Sequence, residues 1–182
     1  MNKLYWVIPL LFAFVFDADA QNQIMARQGQ VSFFSYTSVE NIKAENNQVL
    51  SIINLDDGNI AVSMLMNAFV FEKALMKNHF NESYIESDIY PKATFEGVIE
   101  GFDPSMGQVQ TKMVKGLLKL HGVAKEITIK TKIEKQDNTY ILSGDFETPV
   151  ADYNINIPPL LAGNIAEMII VNFRFEYQPY EN

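Results

Sequence analysis

The side chains best suited to chemistry in this 182-residue chain are two histidines, His79 and His121, and the acidic pair Asp56-Asp57. Zinc sites combine histidine with cysteine or carboxylate ligands at short spacings, and covalent catalysis needs a nucleophile beside a base. The chain has no cysteine, neither histidine has a partner at such a spacing, and neither G-x-S-x-G nor H-E-x-x-H occurs. The sequence therefore predicts no catalytic residue and no metal site, and it disfavours an enzyme.

Each of these residues also has a structural interpretation. The run 56–59 (Asp-Asp-Gly-Asn) is typical of a hairpin turn and lacks the remaining ligands of a calcium loop. His79 lies in a segment of helical periodicity, and we expect it to be a semi-buried packing residue. His121 precedes Gly122, which favours a turn because glycine accepts positive φ. The alternative for His121 is contact with the polar head group of a ligand, which requires exposure at a rim.

The elements that must position these residues are strands. Between residues 114 and 134 apolar side chains alternate with polar ones, which predicts a long antiparallel hairpin with one dry and one wet face. The same period of two recurs along the chain and predicts antiparallel strands curving around an apolar interior. The candidate inward residues, which would line any ligand site, are Phe33, Phe95, Ile99, Leu118, Leu120, Ile127, Ile129, Tyr140, Leu142, Phe146, Val171, Phe173 and Phe175.

Outside that hairpin the pattern predicts one helix and several further strands. A short helix is expected over 72–84, where good helix formers carry apolar residues at helical spacing. Pro158-Pro159 predicts a loop. The expected strands cover 30–38, a segment ending near Asn46, 48–54, 60 towards 71, 93–101, 139–148 and 169–177.

Residues 1–20 have the pattern of a signal peptide. Lys3 precedes an apolar stretch over 4–16, and Ala18-Asp19-Ala20 has the small-x-small form of a cleavage site. The apolar stretch is shorter than the roughly 20 residues that span a bilayer, so a retained anchor is the weaker interpretation. We expect a single exported domain over 21–182, located in the periplasm or secreted. Without cysteine, its stability must come from packing rather than disulfides.

The charge of the chain argues against polyanionic partners. Fourteen Lys and Arg against 22 Asp and Glu give a net charge of −8, and loss of Lys3, Asp17 and Asp19 with the leader changes it to −7. Nucleic acids and anionic membrane surfaces both attract clustered positive charge. The sequence therefore predicts no nucleic-acid partner and disfavours electrostatic membrane docking, although transient membrane contact remains open. Nothing in it predicts the oligomeric state.

Three sequence blocks in this order resemble the YceI-like family. They are Asn78-His79-Phe80, then 90–95 (Tyr-Pro-Lys-Ala-Thr-Phe), then 116–123 (Gly-Leu-Leu-Lys-Leu-His-Gly-Val), and the likeness extends from about Val31 to Tyr177. The resemblance implies an all-β fold, an extended lipocalin-like antiparallel barrel of about eight strands with one short helix. It also implies a secreted or periplasmic bacterial protein whose apolar interior takes the tail of a polyisoprenoid or similar amphiphile.

Two functions are compatible with this sequence, and the first is the one that the resemblance implies. The first is an exported lipid-binding protein that holds a polyisoprenoid or similar long-chain amphiphile for transport or storage, without a cofactor. The second is an envelope stress or interaction protein whose barrel is filled and binds no lipid. Barrels of about eight strands can either fill with side chains or hold one small ligand, so the free volume of the interior separates the two.

Overall fold

The computed structural model describes residues 22–37, 41–157 and 166–180. Within these ranges the chain forms nine strands and one short helix. The strands are β1 (Gln23–Ser35), β2 (Ile42–Asn54), β3 (Asn59–Leu65), β4 (Val70–Phe71), β5 (Lys92–Ile99), β6 (Gln110–Leu120), β7 (Val123–Gln136), β8 (Thr139–Pro149) and β9 (Met168–Pro179). The helix α1 (Ala74–His79) continues into a wider turn over Phe80–Tyr84, in the segment where a helix was predicted. The predicted signal peptide and the Pro158-Pro159 loop lie outside the described residues.

Eight of the strands close into an antiparallel barrel. Neighbours pair in the order β1, β9, β8, β7, β6, β5, β3, β2, and β2 pairs again with β1 to complete the ring. The two-residue β4 pairs with β2. Closure pairs strand edges that would otherwise be open to other chains. The predicted fold class, a lipocalin-like antiparallel barrel of eight strands with one short helix, is confirmed.

The β6–β7 hairpin has the alternation that the sequence predicts. Val114 and its cross-strand partner Ile129 are buried, while the neighbouring Lys115 is exposed. The turn contains only two residues, His121 and Gly122, and both have positive φ, 49° and 74°. Two-residue hairpins of type I′ require this backbone, in which glycine is favourable and other residues are uncommon. The predicted turn role of His121 is therefore present in the structure.

The two N-terminal strands are longer than predicted. β1 begins at Gln23 rather than at residue 30, and β2 continues through Asn46, where a strand end was expected. Asn46 is completely buried, and its side-chain amide donates to a carbonyl at the end of β3 over 2.9 Å. The register shifts between Gly29 and Val31 of β1, which pair with Val49 and Asn46 of β2. The polar residues of β2 between those two partners therefore form a β-bulge. The polar residues therefore interrupt the pairing without ending the strand.

β3 is shorter than predicted because the chain leaves the sheet at Leu65. A 3₁₀ turn over Met66–Ala68 carries it across one end of the barrel before β4 and α1. Met66 and Phe69 become buried in this crossing. We refer to residues 66–85 as the cap, to the barrel end beneath it as the cap end, and to the opposite end as the closed end.

Buried hydroxyl groups cross-link the interior at the closed end. The Tyr177 hydroxyl lies 2.7 Å from Ser51 Oγ, and Ser51 donates its own proton to the carbonyl oxygen of Ala61 at 3.2 Å. Tyr177 is therefore the donor to Ser51. Tyr140 donates to the carbonyl oxygen of Pro104 at 2.9 Å. Because these hydroxyls are satisfied, the two large rings can occupy the barrel without the cost of an unpaired polar group.

The burial of Tyr177 gives the protein a predictable sensitivity to alkaline pH. Burial raises the pKa of the Tyr177 phenol well above its ordinary value of 10.0. In the unfolded chain the phenol loses its proton above about pH 10 whereas the folded state retains it, so the free energy of unfolding should fall there by up to ~1.4 kcal/mol per pH unit. Below pH 10 both states are protonated and this contribution is constant.

Tyr177→Phe tests this expectation. At pH 8 the variant should be less stable than the parent by about 1 kcal/mol, because it lacks the hydrogen bond to Ser51. The gap should narrow as the pH rises above 10, since phenylalanine carries no proton to lose. Urea unfolding from pH 8 to 11 measures both effects. Parallel curves for the two proteins would contradict the expected titration.

Candidate functional site

The barrel interior opens beneath the cap into a cavity of about 450 Å³. This volume falls within the range of about 300–1,000 Å³ that is usual for small-molecule sites. The walls are mostly apolar, with Ser35 and Thr148 as the polar residues that the strands contribute. The barrel strands line the cavity with Val31, Phe33, Ser35, Ile42, Met64, Ala93, Leu118, Leu120, Phe146, Thr148, Ile169 and Val171.

The rest of the wall comes from the cap and from Val150 and Ile155 after β8, none of which was among the predicted site residues. The cap contributes aromatic rings and methionines, and the flexible methionine side chain adapts to ligands of different shape. The dense run of methionine and phenylalanine between residues 64 and 80 was the signal that could have revealed them. The cap residues on the cavity are Met66, Phe69, Phe71, Lys73, Leu75, Met76, His79, Phe80, Tyr84 and Ile85.

Four aromatic rings fasten the cap to the barrel. Phe80 stacks on Phe33 of β1 with ring centroids 5.5 Å apart, and it also contacts Phe69 and Phe71 at 5.6 and 5.0 Å. Aromatic pairs at such distances contribute about 0.5–1.5 kcal/mol each beyond the area they bury. The cluster therefore holds the turn after α1 against the wall and forms part of the cavity roof.

Below the cavity the interior narrows sharply. Five inward residues border both the main cavity and a smaller space of about 60 Å³ beneath it, and we call this layer the waist. The waist consists of Val31, Met64, Leu118, Phe146 and Val171. The interior is thus neither an open tunnel nor completely filled, since its free volume is concentrated at the cap end.

The predicted interior residues separate into three levels. Phe33 and Leu120 line the main cavity, while Leu118, Phe146 and Val171 belong to the waist. Those around the smaller space are Phe95, Ile127, Ile129, Leu142, Phe173 and Phe175.

Ile99 and Tyr140 require a correction, because neither borders the cavity or the smaller space. Both are buried near the closed end, where Tyr140 is hydrogen-bonded to Pro104 and packs edge-on against Phe102. The alternating pattern correctly placed both side chains inside the barrel. It could not show how far along the barrel axis the free volume extends, so they are core residues rather than ligand contacts.

His121 also requires a correction. A head-group contact would need an exposed ring, but only 9% of its side chain is accessible. Its Nδ1 lies 2.9 Å from the carbonyl oxygen of Tyr153, its Nε2 lies 3.0 Å from a carboxylate oxygen of Glu86, and the ring packs edge-on against Tyr90. His121 therefore ties the β6–β7 turn to the residue that follows the cap and to the chain after β8. It does not line the cavity.

His79 differs from its expected role as a semi-buried packing residue. It is exposed at the last position of α1 and borders the cavity, as does Lys73 just before the helix. Tyr84 completes the polar groups on the cap side, and burial raises the pKa of its phenol, so it is neutral at physiological pH. These groups lie around a largely apolar chamber.

Over residues 22–37, 41–157 and 166–180, no group of three or more His, Asp or Glu side chains is placed to hold a metal ion. In the same part of the chain, no helix has the length and apolar character needed to cross a membrane. The Asp57 carboxylate instead accepts the backbone N–H of Asn59 at 2.9 Å, as expected for a turn.

A sequence profile of the YceI-like domain matches residues 22–177. The chain belongs to the YceI-like family. The match begins just before β1 and ends within β9, so it includes the barrel and the cap of this YceI-like protein. The resemblance inferred from the three sequence blocks is confirmed. No functionally curated protein sequence matches the chain significantly.

Solved structures with a similar fold support the assignment of this YceI-like barrel. A polyisoprenoid-binding domain from Saccharophagus degradans has a TM-score of 0.75 at 15% identity, covering 88% of this chain and 99% of that one. Burkholderia cenocepacia BcnA gives 0.70 at 15% identity, with 81% and 95% covered. The Campylobacter jejuni YCEI protein gives 0.60 at 15% identity, with 81% and 90% covered. At this level of identity the likeness establishes the fold.

Proposed function

We propose that this YceI-like protein binds one amphiphile, with its hydrocarbon tail in the cavity beneath the cap. The apolar cavity of about 450 Å³ carries the proposal, since a barrel filled by its own side chains could not accept a tail. The family, and the polyisoprenoid binding described for the Saccharophagus degradans domain, favour an isoprenoid tail. We propose binding rather than catalysis as its activity.

The energetics are favourable for a tail without a charged anchor. At ~30 Å³ for each group the size of a water molecule, the cavity has room for about 15 methylene-sized groups. Each methylene transferred from water gains ~0.8 kcal/mol, or about 12 kcal/mol for the whole tail. Association costs roughly 4–15 kcal/mol in lost freedom of motion, so the apolar contacts can offset much of this cost.

The biological role that fits such a site is transport or storage of a lipid outside the cytoplasm. An apolar chamber beneath the cap keeps a poorly soluble tail away from water while it is moved or held. The pattern of a signal peptide over residues 1–20 supports export to the periplasm or the medium. Transient contact with a membrane would supply or receive the lipid.

Organic extraction of the purified protein followed by mass spectrometry tests the proposed function. The parent protein should release a long-chain lipid in near-stoichiometric amount. Leu120→Trp, which enlarges a side chain on the cavity wall, should release less lipid and should bind an added prenol at least about tenfold more weakly, since a tenfold change in Kd corresponds to only ~1.4 kcal/mol. Leu117→Trp is the matched control, since Leu117 lies on the outer face of the same strand and is 50% exposed.

Two results would contradict the proposal. One is an extract from the parent protein that contains no lipid, together with failure of the protein to take up added prenols. The other is equal lipid yield from Leu120→Trp and Leu117→Trp when both variants are folded. The first result would favour the envelope stress or interaction protein that binds no lipid, and the second would mean that the lipid binds outside this cavity.

A further inference from the structure

We propose that the waist and the rings of Phe95 and Phe173 form a floor that limits the buried part of the ligand to a tail of about 15 carbons. This inference rests on the proposed function and specifies its ligand class. A long polyisoprenoid could enter only with its first few units, and the remainder would stay in water. The preferred ligand is therefore an amphiphile whose tail is about as long as three isoprene units.

The position of the free volume is the first observation that supports a floor. Above the waist the cavity measures about 450 Å³, and below it only about 60 Å³ remains. The smaller space is only a small fraction of the upper cavity, so it can accept no more than a short extension of the tail. A tail entering from the cap end therefore fills the upper cavity and then meets packed side chains.

The rings below the waist are held in place by glycines on adjacent strands. A Cβ built on Gly144 would lie 2.8 Å from Cζ of Phe173, and one built on Gly116 would lie 2.7 Å from Cζ of Phe95. Each ring thus rests directly on a backbone that has no side chain at that point. Phe173 also stacks on Phe175 with centroids 5.4 Å apart. Rings seated in this way cannot move aside without losing those contacts.

The closed end prevents a tail from passing through the barrel. Beyond the smaller space lie Tyr140 and Tyr177, both buried and hydrogen-bonded, so the interior is blocked below the floor as well. A longer tail can therefore extend only back through the cap end into solvent. Its additional methylenes would contribute no burial and no affinity.

A series of linear 1-alkanols from eight to 20 carbons tests the length limit, with Kd measured by displacement of an apolar fluorescent dye. Each added methylene should tighten binding about fourfold while it remains buried. For the parent protein the gain should stop near 15 carbons. We call the chain length at which affinity stops rising the break. In Phe173→Ala, loss of the ring should move the break to tails longer by about three to four carbons.

Phe34→Ala is the matched control, because Phe34 stacks with Tyr36 and contacts Lys43 away from the cavity lining. Its break should remain at the parent position. If Phe173→Ala does not fold, Phe173→Leu should still move the break by a smaller amount. Affinity that keeps rising to 20 carbons in the parent, or an unchanged break in a folded Phe173 variant, would overturn the floor while leaving lipid binding intact. Failure of every alkanol to bind would instead count against the proposed function.

Discussion

Phe173→Asp is expected to abolish the folded barrel, and lipid binding with it. Phe173 is partly buried among the core residues and packs on Gly144 and Phe175. Loss of a core phenylalanine costs about 3–5 kcal/mol, and a carboxyl group without a partner in an apolar interior adds about 1–3 kcal/mol or more. Their sum is comparable to the whole stability of a typical domain, about 5–15 kcal/mol. Circular dichroism and urea unfolding measure the loss.

Arg174→Asp is the matched control, since it introduces the same side chain one residue along β9. Arg174 faces solvent with 49% of its side chain accessible and pairs with Glu176 at 3.3 Å. Exposed ion pairs contribute about 0–1 kcal/mol, so this variant should fold and lose at most about that amount. Equal destabilisation by the two substitutions would mean that the assignment of inner and outer faces in β9 is wrong.

Gly116→Ala is expected to have the second large effect. Gly116 pairs directly with Gly97 across β5 and β6. A Cβ at this position would lie 2.6 Å from Cα of Gly97, 2.7 Å from Cζ of Phe95 and still closer to the carbonyl oxygen of Glu96. Two of these three atoms belong to the backbone and cannot rotate away. We expect a loss of about 3 kcal/mol or more in the free energy of unfolding, at the upper end for overpacked cores.

Gly107→Ala is the control for this substitution. Gly107 lies in the loop between β5 and β6, and a Cβ built on it meets no atom within 4 Å. Alanine there should be neutral or should stabilise the protein by about 0.4–1 kcal/mol through the unfolded chain. Urea unfolding of the two variants side by side measures the difference. If they prove equally stable, the close approach of β5 and β6 is not a constraint.

The alternation of apolar residues was sufficient to identify the strands of the second half of the barrel. Ile129 was expected to point inward, and Val114 begins the same alternating run; the two are buried partners in the structure. A half-buried strand imposes a period of two on its own sequence, so the pattern can be read locally. At Asn46 the same method failed, because a buried amide can be satisfied by contacts with a distant strand that sequence does not reveal.

The ligand site was only partly predictable. Phe33, Leu118 and Phe146 were correctly expected to point inward and do border the cavity, whereas Tyr140 points inward but helps to block the closed end. The cap residues were read as a short helix and a strand, without a role in the site. Whether they cover the barrel depends on packing between segments far apart in the chain, such as that of Phe80 against Phe33.

The sequence by itself determined the family, the antiparallel barrel and the inward set of side chains, because each depends on local periodicity or on short motifs. Tertiary structure decided where the free volume lies, since it depends on how rings from different strands share one interior. Phe173 packs on Gly144, and His121 contacts Glu86 and Tyr153. All of these contacts join residues that are distant in sequence. A pattern with a period of two specifies which way a side chain points, but it carries no information about the space left between side chains.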